Sequence, residues 1–441
     1  MTQPTLPSST YLDHLEAETR DRRETARHDS SPFAGAPEAL AAAVEARVDV
    51  LAPELRKLAS QLHQDPETAY QEHRSAGRIA DLLGRYGVAA QVGVHGIETA
   101  VRAEAGSGSP VIAIMAEYDA LPGIGHACGH NVIAATGVGA FLALAQTLQK
   151  DPGAFPGKVV LLGTPAEEGY SGKEVMARNG ALDGVDAAIM VHPYGQDVVD
   201  QVWLGRRLLT VTFTGVAAHA SAQPFMGRNA LDAATLAYQG VGLLRQQLPP
   251  SDRVHAVITD GGARPSIIPE RAEMKFYARS KYPETLRELS HRLEEVARGA
   301  ALMTGTGVEL GWDEHPPSLP VRTNRALTGR WLAAERGRGR EPLPGGVVSE
   351  TLAASTDFGN VSYRVPGIHP LIGISGPDVA LHTREFAAAA GSPAAGTAAV
   401  DAAAGLALTA LDYLCDPELQ QAAAAEFAAA GGPVDVPGYF D

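Results

Sequence analysis

The chain has 441 residues, above the roughly 250 to 300 at which a single core stops growing, so two domains are expected. With 45% hydrophobic and 20% charged residues it lies in the globular range, and neither a collagen-like nor a disordered composition fits. A formal net charge of −15 with no run of five or more Lys/Arg excludes nucleic acid as an expected partner, and two cysteines, Cys128 and Cys415, are too few for a disulfide framework and suit a reducing cytoplasm.

A Pro/Ser-rich tip opens an N-terminal extension, residues 1–35, that carries no apolar signal-peptide core. Residues 11–26 read as a surface helix with a thin stripe of Leu12, Leu15 and Thr19. Periodic helices follow at 38–62 and 76–86, the second stopped by Gly87, then strands at 89–94, 100–103 and 111–116. Residues 131–148 read as a buried helix, and 159–163 and 187–191 as two further strands. Near Arg206 the rhythm changes. A strand at 208–214, a helix at 229–248, strands at 253–259 and 273–279, a helix at 283–303 and a strand at 308–313 spell β-α-β-β-α-β, a ferredoxin-like insert. Its antiparallel edge offers a place for a second copy to pair. The chain returns to the first domain near Arg322, passes a Gly/Pro-rich loop at 338–346 and ends in a helix whose start, Ser392-Pro393, has a cap residue and a first-turn proline. That Ala-rich stretch contains Asp401 and Asp412, so no membrane segment is expected. The division is 1–205, 206–318 and 319–441, with the first and third parts forming one α/β domain.

Three of these strands end in metal-ligand residue types. The first leads, through Asp119, into His126-Ala127-Cys128-Gly129-His130-Asn131; the second runs into Glu167-Glu168, and the third into His192-Pro193. Ligands gather at the carboxyl ends of strands in open α/β sheets, so three such ends point to one polynuclear site. Adjacent side chains in the Glu167-Glu168 turn point different ways, so Glu168 is assigned as a ligand and Glu167 as a general base. Gly125 and Gly129 permit a tight turn around an ion, and Asp119 is placed to hydrogen-bond a ligand imidazole. Taken singly, each signal has a plainer reading. Glu167-Glu168 is also a solvated acidic pair, Cys128 and His130 a buried thiol and a core histidine, Asp119 a turn cap, His192 and His382 isolated histidines, His219 a loop histidine and Arg279 a strand-end charge.

Several segments occur together and in order: 62–67, Glu117 to Pro122, His126 to Asn131, Glu167-Glu168-Gly169, His192-Pro193, Ala218-His219-Ala220-Ser221, Ile267-Ile268-Pro269, 355–360 and His382. In this the chain resembles the aminoacylase and carboxypeptidase family of dinuclear metallopeptidases, in the amidohydrolase branch with auxin-conjugate and p-aminobenzoyl-glutamate hydrolases. The resemblance implies a mixed-sheet, dinuclear aminopeptidase-like catalytic domain with an inserted lid and dimerisation domain. It also implies two divalent ions held by Cys128, His130, Glu168, His192 and His382, with Cys128 bridging where other branches have aspartate. Glu167 is then the base for a bridging hydroxide that attacks an amide carbonyl, and His219, reaching over from the partner of a homodimer, holds the oxyanion. Arg279 resembles the residue that receives a substrate carboxylate, and Asn229 and the Gly359-Asn360 turn are expected along the cleft, the turn as backbone scaffold rather than as a direct contact. Zinc is the default ion because thiolate and imidazole favour it, with manganese, cobalt or nickel admitted. Two residues depart from the family pattern: Asn131 replaces an aspartate of the auxin-conjugate enzymes, and Ser266 an asparagine before Ile-Ile-Pro. The expectation is an amidohydrolase for an N-acyl amino acid, an aryl-amide amino acid or a dipeptide-like substrate with a free carboxylate. A dipeptidase or carboxypeptidase on free peptides and a non-catalytic binding protein that kept the fold are the alternatives.

Overall fold

A computed structural model describes residues 7–27 and 30–440; residues 1–6 of the expected tip lie outside them. Helix α1 (Thr10–Thr25) lies on the surface, burying Leu15 while Leu12 stays exposed. Next come α2 (Glu38–Gln64), α3 (His73–Arg85), β1 (Ala90–Val92), β2 (Val101–Ser107), β3 (Val111–Ala116), α4 (His130–Lys150), β4 (Gly157–Gly163), α5 (Gly172–Arg178), β5 (Ala187–Ile189) and β6 (His192–Tyr194). The middle of the chain forms β7 (Trp203–Thr214), α6 (Ala230–Leu244), β8 (Arg253–Asp260), β9 (Arg271–Ser280), α7 (Pro283–Thr304) and β10 (Gly307–Trp312). The last part forms α8 (Arg325–Gly337), β11 (Ala354–Ser355), α9 (Phe358–Ser362), β12 (Gly367–Ile368), β13 (Leu371–Gly373), α10 (Arg384–Ala390), α11 (Pro393–Cys415) and α12 (Pro417–Ala429).

The main sheet has the order β1-β2-β4-β3-β5-β12, with β3, β4, β5 and β12 parallel and β1 and β2 antiparallel along one edge. Strand β3, Val-Ile-Ala-Ile-Met-Ala, is buried along its whole length, because helices cover both faces of the parallel part. Ile112 and Ile114 join the core under α2, α4 and α11, while Ala113 and Met115 face the core that includes Met176 of α5 and Phe358 of α9. Helix α4 lies close on β3 at Gly137, where a Cβ would stand 2.7 Å from the Met115 carbonyl oxygen. Both α4 and α11 are long and apolar enough to cross a membrane, yet 89% and 78% of their apolar windows are buried inside the fold as core helices.

The second sheet is the expected insert. Its order, β10-β7-β9-β8, is antiparallel throughout, and α6 and α7 pack on one face through Leu209, Val211, Phe213, Met274 and Phe276. Strand β7 starts inside the first domain, where Trp203 and Leu204 pair in parallel with Ala354 and Ser355 of β11. Three local expectations differ. The helix expected through 248 ends at Leu244 and tightens into a 3-10 turn over Arg245–Gln247 ahead of Pro249-Pro250. The strand expected at 187–191 stops at Ile189, and His192 begins a separate strand paired with β13. Helices α8, α10 and α12 add to the final helix foreseen; Asn324, Thr383 and Asp416 cap them by accepting hydrogen bonds from first-turn N–H groups.

Candidate metal centre

Because β3, β4 and β5 are parallel, their carboxyl ends open on one edge of the sheet, and the side chains that follow them meet there. Past β3, Glu117 and Asp119 stand two residues apart and are both buried. The chain then loops back to Cys128 and enters α4 at His130. Gly129 has φ +83°, and a Cβ on it would collide with the Pro193 ring, so only glycine lets the Cys128 turn press against the segment carrying His192. Past β4, Ala166 at φ +58° turns the chain into Glu167 and Glu168. His382, also left-handed at φ +62°, is tied to the Cys128 turn by its N–H, which donates to the Ala127 carbonyl at 2.9 Å.

Donor atoms of five side chains and of Glu167 converge in three groups, each within 4.8 Å: Cys128, His130 and His192; Cys128, Glu168 and His382; and His130, Glu167 and Glu168. The Cys128 sulfur is common to two of them. It lies 3.5 Å from His192 Nε2, and Glu168 Oε1 lies 3.4 Å from His382 Nε2. The outer ring nitrogens are already engaged: His192 Nδ1 donates to the Pro193 carbonyl at 2.7 Å and His130 Nδ1 to Asp119 Oδ1 at 2.9 Å. In the neutral rings those bonds place the proton on Nδ1 and leave each Nε2 lone pair facing the cluster. The other Asp119 oxygen accepts the Glu168 N–H at 2.9 Å, so one carboxylate orients two donors that between them enter all three groups.

The residues fit a pair of cations on their own chemistry. Buried His130 Nε2 and Glu168 Oε1 have no hydrogen-bond partner among the described residues. Burial, reinforced by the Glu117 and Glu168 charges, pushes Glu167 well above the usual carboxylate range, a penalty that a cation between these groups offsets. Burial also holds His192 down at about 4, in the neutral form that ligates. Beside the cluster, the Lys173 ammonium is buried between Glu117 and Asp357, 2.6 Å from Asp357 Oδ1. Burial alone would push Lys173 down, but the two carboxylates outweigh it and hold it above its usual value.

Residues 113–404 match the pattern of Peptidase family M20/M25/M40. The chain belongs to this family. It is 39% identical over 391 residues to the Xaa-Arg dipeptidase of Mus musculus, covering 86% of this chain and 90% of that one. It is 36% identical over 289 residues to one of the p-aminobenzoyl-glutamate hydrolase polypeptides of Escherichia coli, covering 60% of this chain and 59% of that one. A dinuclear metal-binding M20 peptidase of Bacillus subtilis has a similar fold, with a TM-score of 0.62 at 22% identity over 82% of this chain and 99% of that one. The protein is a metal-dependent amidohydrolase, and the bound group is a set of divalent cations.

In this M20 chain Cys128, Glu167, Glu168, His192 and His382 line a cleft of about 490 Å³ that Arg279 closes from the insert. Burial, and next the charge of Arg206, push Arg279 below its usual value. Asn229 and His219 lie elsewhere. Asn229 caps α6, accepting the Leu231 N–H at 3.0 Å, and lines a separate groove with Pro224 and Met303. His219 is exposed on the insert and does not line the cleft of its own chain; the Ala222 and Ser221 N–H groups donate to its Nδ1 at 3.1 and 3.3 Å. Asn360 is scaffold, accepting from Leu319 N–H and donating to Pro317. At the departure Asn131, the amide donates to the Ala59 and Ala390 carbonyls and joins α4 to α2 and α10. Sequence reasoning gave no role to Glu117, Lys173 or Asp357. A signal existed for Glu117, which shares the strand-end face of Asp119 two residues on; Lys173 carries no local motif.

Proposed function

We propose that this protein is a cytoplasmic homodimeric hydrolase of N-acyl amino acids, aryl-amide amino acids or dipeptide-like amides that carry a free carboxylate. Cys128, His130, Glu168, His192 and His382 are the metal ligands in this reading, and zinc is the ion that their thiolate and imidazoles favour. When bound, the ions supply Lewis acidity that polarises the amide carbonyl and acidifies water. Glu167 takes the proton of the attacking water and returns it to the leaving amine. Asp119 holds His130 in the ligating tautomer, and Arg279 fixes the substrate by its carboxylate, a fork against two oxygens.

His219 of a second copy completes the site. With Nδ1 accepting backbone N–H bonds, the neutral ring carries its proton on Nε2, a donor suited to a developing oxyanion. Around it Val216, Phe225, Met226 and Ile267 are exposed apolar residues, which supports a surface that another subunit covers. The insert spans residues 206–318 in this reading, between catalytic segments 1–205 and 319–441. Two unpaired cysteines agree with a reducing compartment.

The single observation that carries the proposal is the Cys128 sulfur standing in two donor groups at once, with the Glu167 carboxylate beside them. Glu167→Gln is expected to keep its metal and lose hydrolysis by several orders of magnitude; comparable turnover removes Glu167 from the mechanism. Mixing inactive Glu167→Gln and His219→Ala chains should restore part of the activity, and no recovery after confirmed subunit exchange refutes the shared site. A dipeptidase is the second reading, favoured by the likeness to the Mus musculus enzyme. Rates on N-acetyl amino acids against α- and β-alanyl dipeptides separate the two.

A further inference from the structure

The face of the insert sheet that carries no helices looks onto the cleft, and one row across β7, β9 and β8 is made of three arginines. Arg206 of β7 lies opposite Arg279 of β9, and Arg279 lies opposite Arg253 of β8. Directly opposed residues in neighbouring strands point to the same side, about 4.8 Å apart. All three line the same cleft as Glu168 and His382. The Arg206 and Arg279 guanidinium carbons lie 5.3 and 4.9 Å from the centre of the Tyr277 ring, so one aromatic surface orders two of the heads.

Among the described residues, none of the three is paired with a carboxylate. Arg206 donates to Ser171 Oγ at 3.1 Å, and Arg253 to the backbone oxygens of Pro250 and Asp252. The other cations on the strands of the insert have acidic partners: Arg207 with Asp313, Arg271 with Asp260 and Glu273, and Lys275 with Glu314. Like charges directly opposed across a sheet are destabilising, and this chain has 51 acidic residues from which partners could have been drawn. The row therefore costs stability without a ligand and recovers it with a polyanionic one.

We propose that the Arg206–Arg279–Arg253 row is a receptor for two carboxylates, so that the preferred substrate is an amide whose leaving amino acid is acidic, of aspartate or glutamate type. The proposal rests on the amidohydrolase reading above and deepens it. Arg279, central in the row, takes the α-carboxylate, and its neighbours one strand away on either side take the second. The metal cluster lies across the cleft, where the scissile amide then sits. A cationic leaving side chain, as in an Xaa-Arg dipeptide, would meet three like charges. Arg206 and Arg253 thereby set specificity, while Arg279 serves substrates with one carboxylate as well as two.

The test compares metal-loaded protein on N-acetyl- and N-benzoyl-L-glutamate, the matching glutamine amides, which keep the shape and lose one charge, and the matching arginine amides. The glutamate forms are expected to lead in kcat/KM by about 10- to 100-fold, the range of charge-assisted hydrogen bonds to a guanidinium, with a lead that shrinks as salt rises. Arg206→Gln and Arg253→Gln should each reduce the glutamate-to-glutamine ratio to within about threefold. A second readout needs no turnover: calorimetric binding of N-acetyl-L-glutamate to the Glu167→Gln protein should be tighter than that of N-acetyl-L-glutamine and lose that advantage when either arginine is also changed. Equal rates on the three amides, or a ratio unmoved by both arginine variants, overturns the receptor while the hydrolase reading stands. No hydrolysis of any amide, with tighter arginine-dependent binding of the glutamate form intact, overturns the hydrolase reading and leaves the receptor standing.

Discussion

Asp119→Asn tests how the cluster is held. In the native site one Asp119 oxygen accepts the His130 Nδ1–H and the other the Glu168 N–H, both at 2.9 Å and both out of solvent. An asparagine has one acceptor and one donor. If its oxygen serves His130, its NH₂ confronts the Glu168 N–H, and a buried donor is left unpaired at a cost of about 1 to 3 kcal/mol. If it turns the other way, the NH₂ faces His130 Nδ1, and a donor there is tolerated only when the imidazole proton moves to Nε2. That move consumes the lone pair that faces the cluster, so relief of the clash removes a donor. Either orientation weakens cation binding by about 10- to 100-fold, which at about 1.4 kcal/mol per tenfold agrees with the unpaired-donor cost. Because Asp119 supports His130 and Glu168, which between them enter all three donor groups, the loss should reach cation binding across the whole cluster. The assay is competition between protein and a chelator of known affinity, with a thermal melt of the metal-free variant to show that the fold survives. Cation affinity within about twofold of the native protein would refute the account of Asp119 as the common support.

Two further predictions concern the scaffold. Glu335 on α8 is fully buried, with Arg340 Nε 3.8 Å away, and burial raises it from an ordinary 4.5 to about 8. Its folded-state value exceeds the unfolded one, so its contribution is full below about pH 4.5 and is lost as pH rises towards 8, at up to about 1.4 kcal/mol per pH unit. Glu335→Gln should therefore gain stability over the native protein on going from pH 5 to pH 7, by roughly 3 kcal/mol at most, in denaturant titrations; parallel pH curves would dismiss the assignment. For Gly137→Ala, the new methyl meets the Met115 carbonyl oxygen at 2.7 Å, and overpacking of about 1 to 3 kcal/mol outweighs a helix-propensity gain of about 1 kcal/mol, whereas Gly84 of α3 has open space within 4 Å and Gly84→Ala should stabilise. A melting temperature that rises in both variants would contradict the close packing of α4 on β3.

The sequence carried the parts of this molecule that local chemistry writes into neighbouring residues. The apolar runs that lead towards Cys128, Glu167-Glu168 and His192 were legible because they give way abruptly to ligand types, although the run before His192 stops at Ile189 and His192 opens a strand of its own; the β-α-β-β-α-β order of the insert was legible because its hydrophobic period alternates between about two and 3.6. Asp119 was legible through its place between a strand and the Cys128 turn. Contacts between residues far apart in the chain were not. Lys173 meets Glu117 and Asp357 from 56 and 184 positions away, and nothing near Gly172-Lys173 signals it. Arg206 and Arg253 each look like an ordinary strand charge; only the register of three strands puts them beside Arg279. The partners of Asn131 were equally illegible, since its neighbours Cys128 and His130 face the cluster while the turn of α4 directs its amide to Ala59 and Ala390.

A single sulfur serving two donor groups gives the cluster one point of failure. A reagent that oxidises or alkylates Cys128 would strip a donor from both positions in one event, where the same damage at His192 or His382 would spare half. Occupancy of the cluster and the redox state of this thiol are thus linked, and a cation held by either group would shield the sulfur on which the other group also depends.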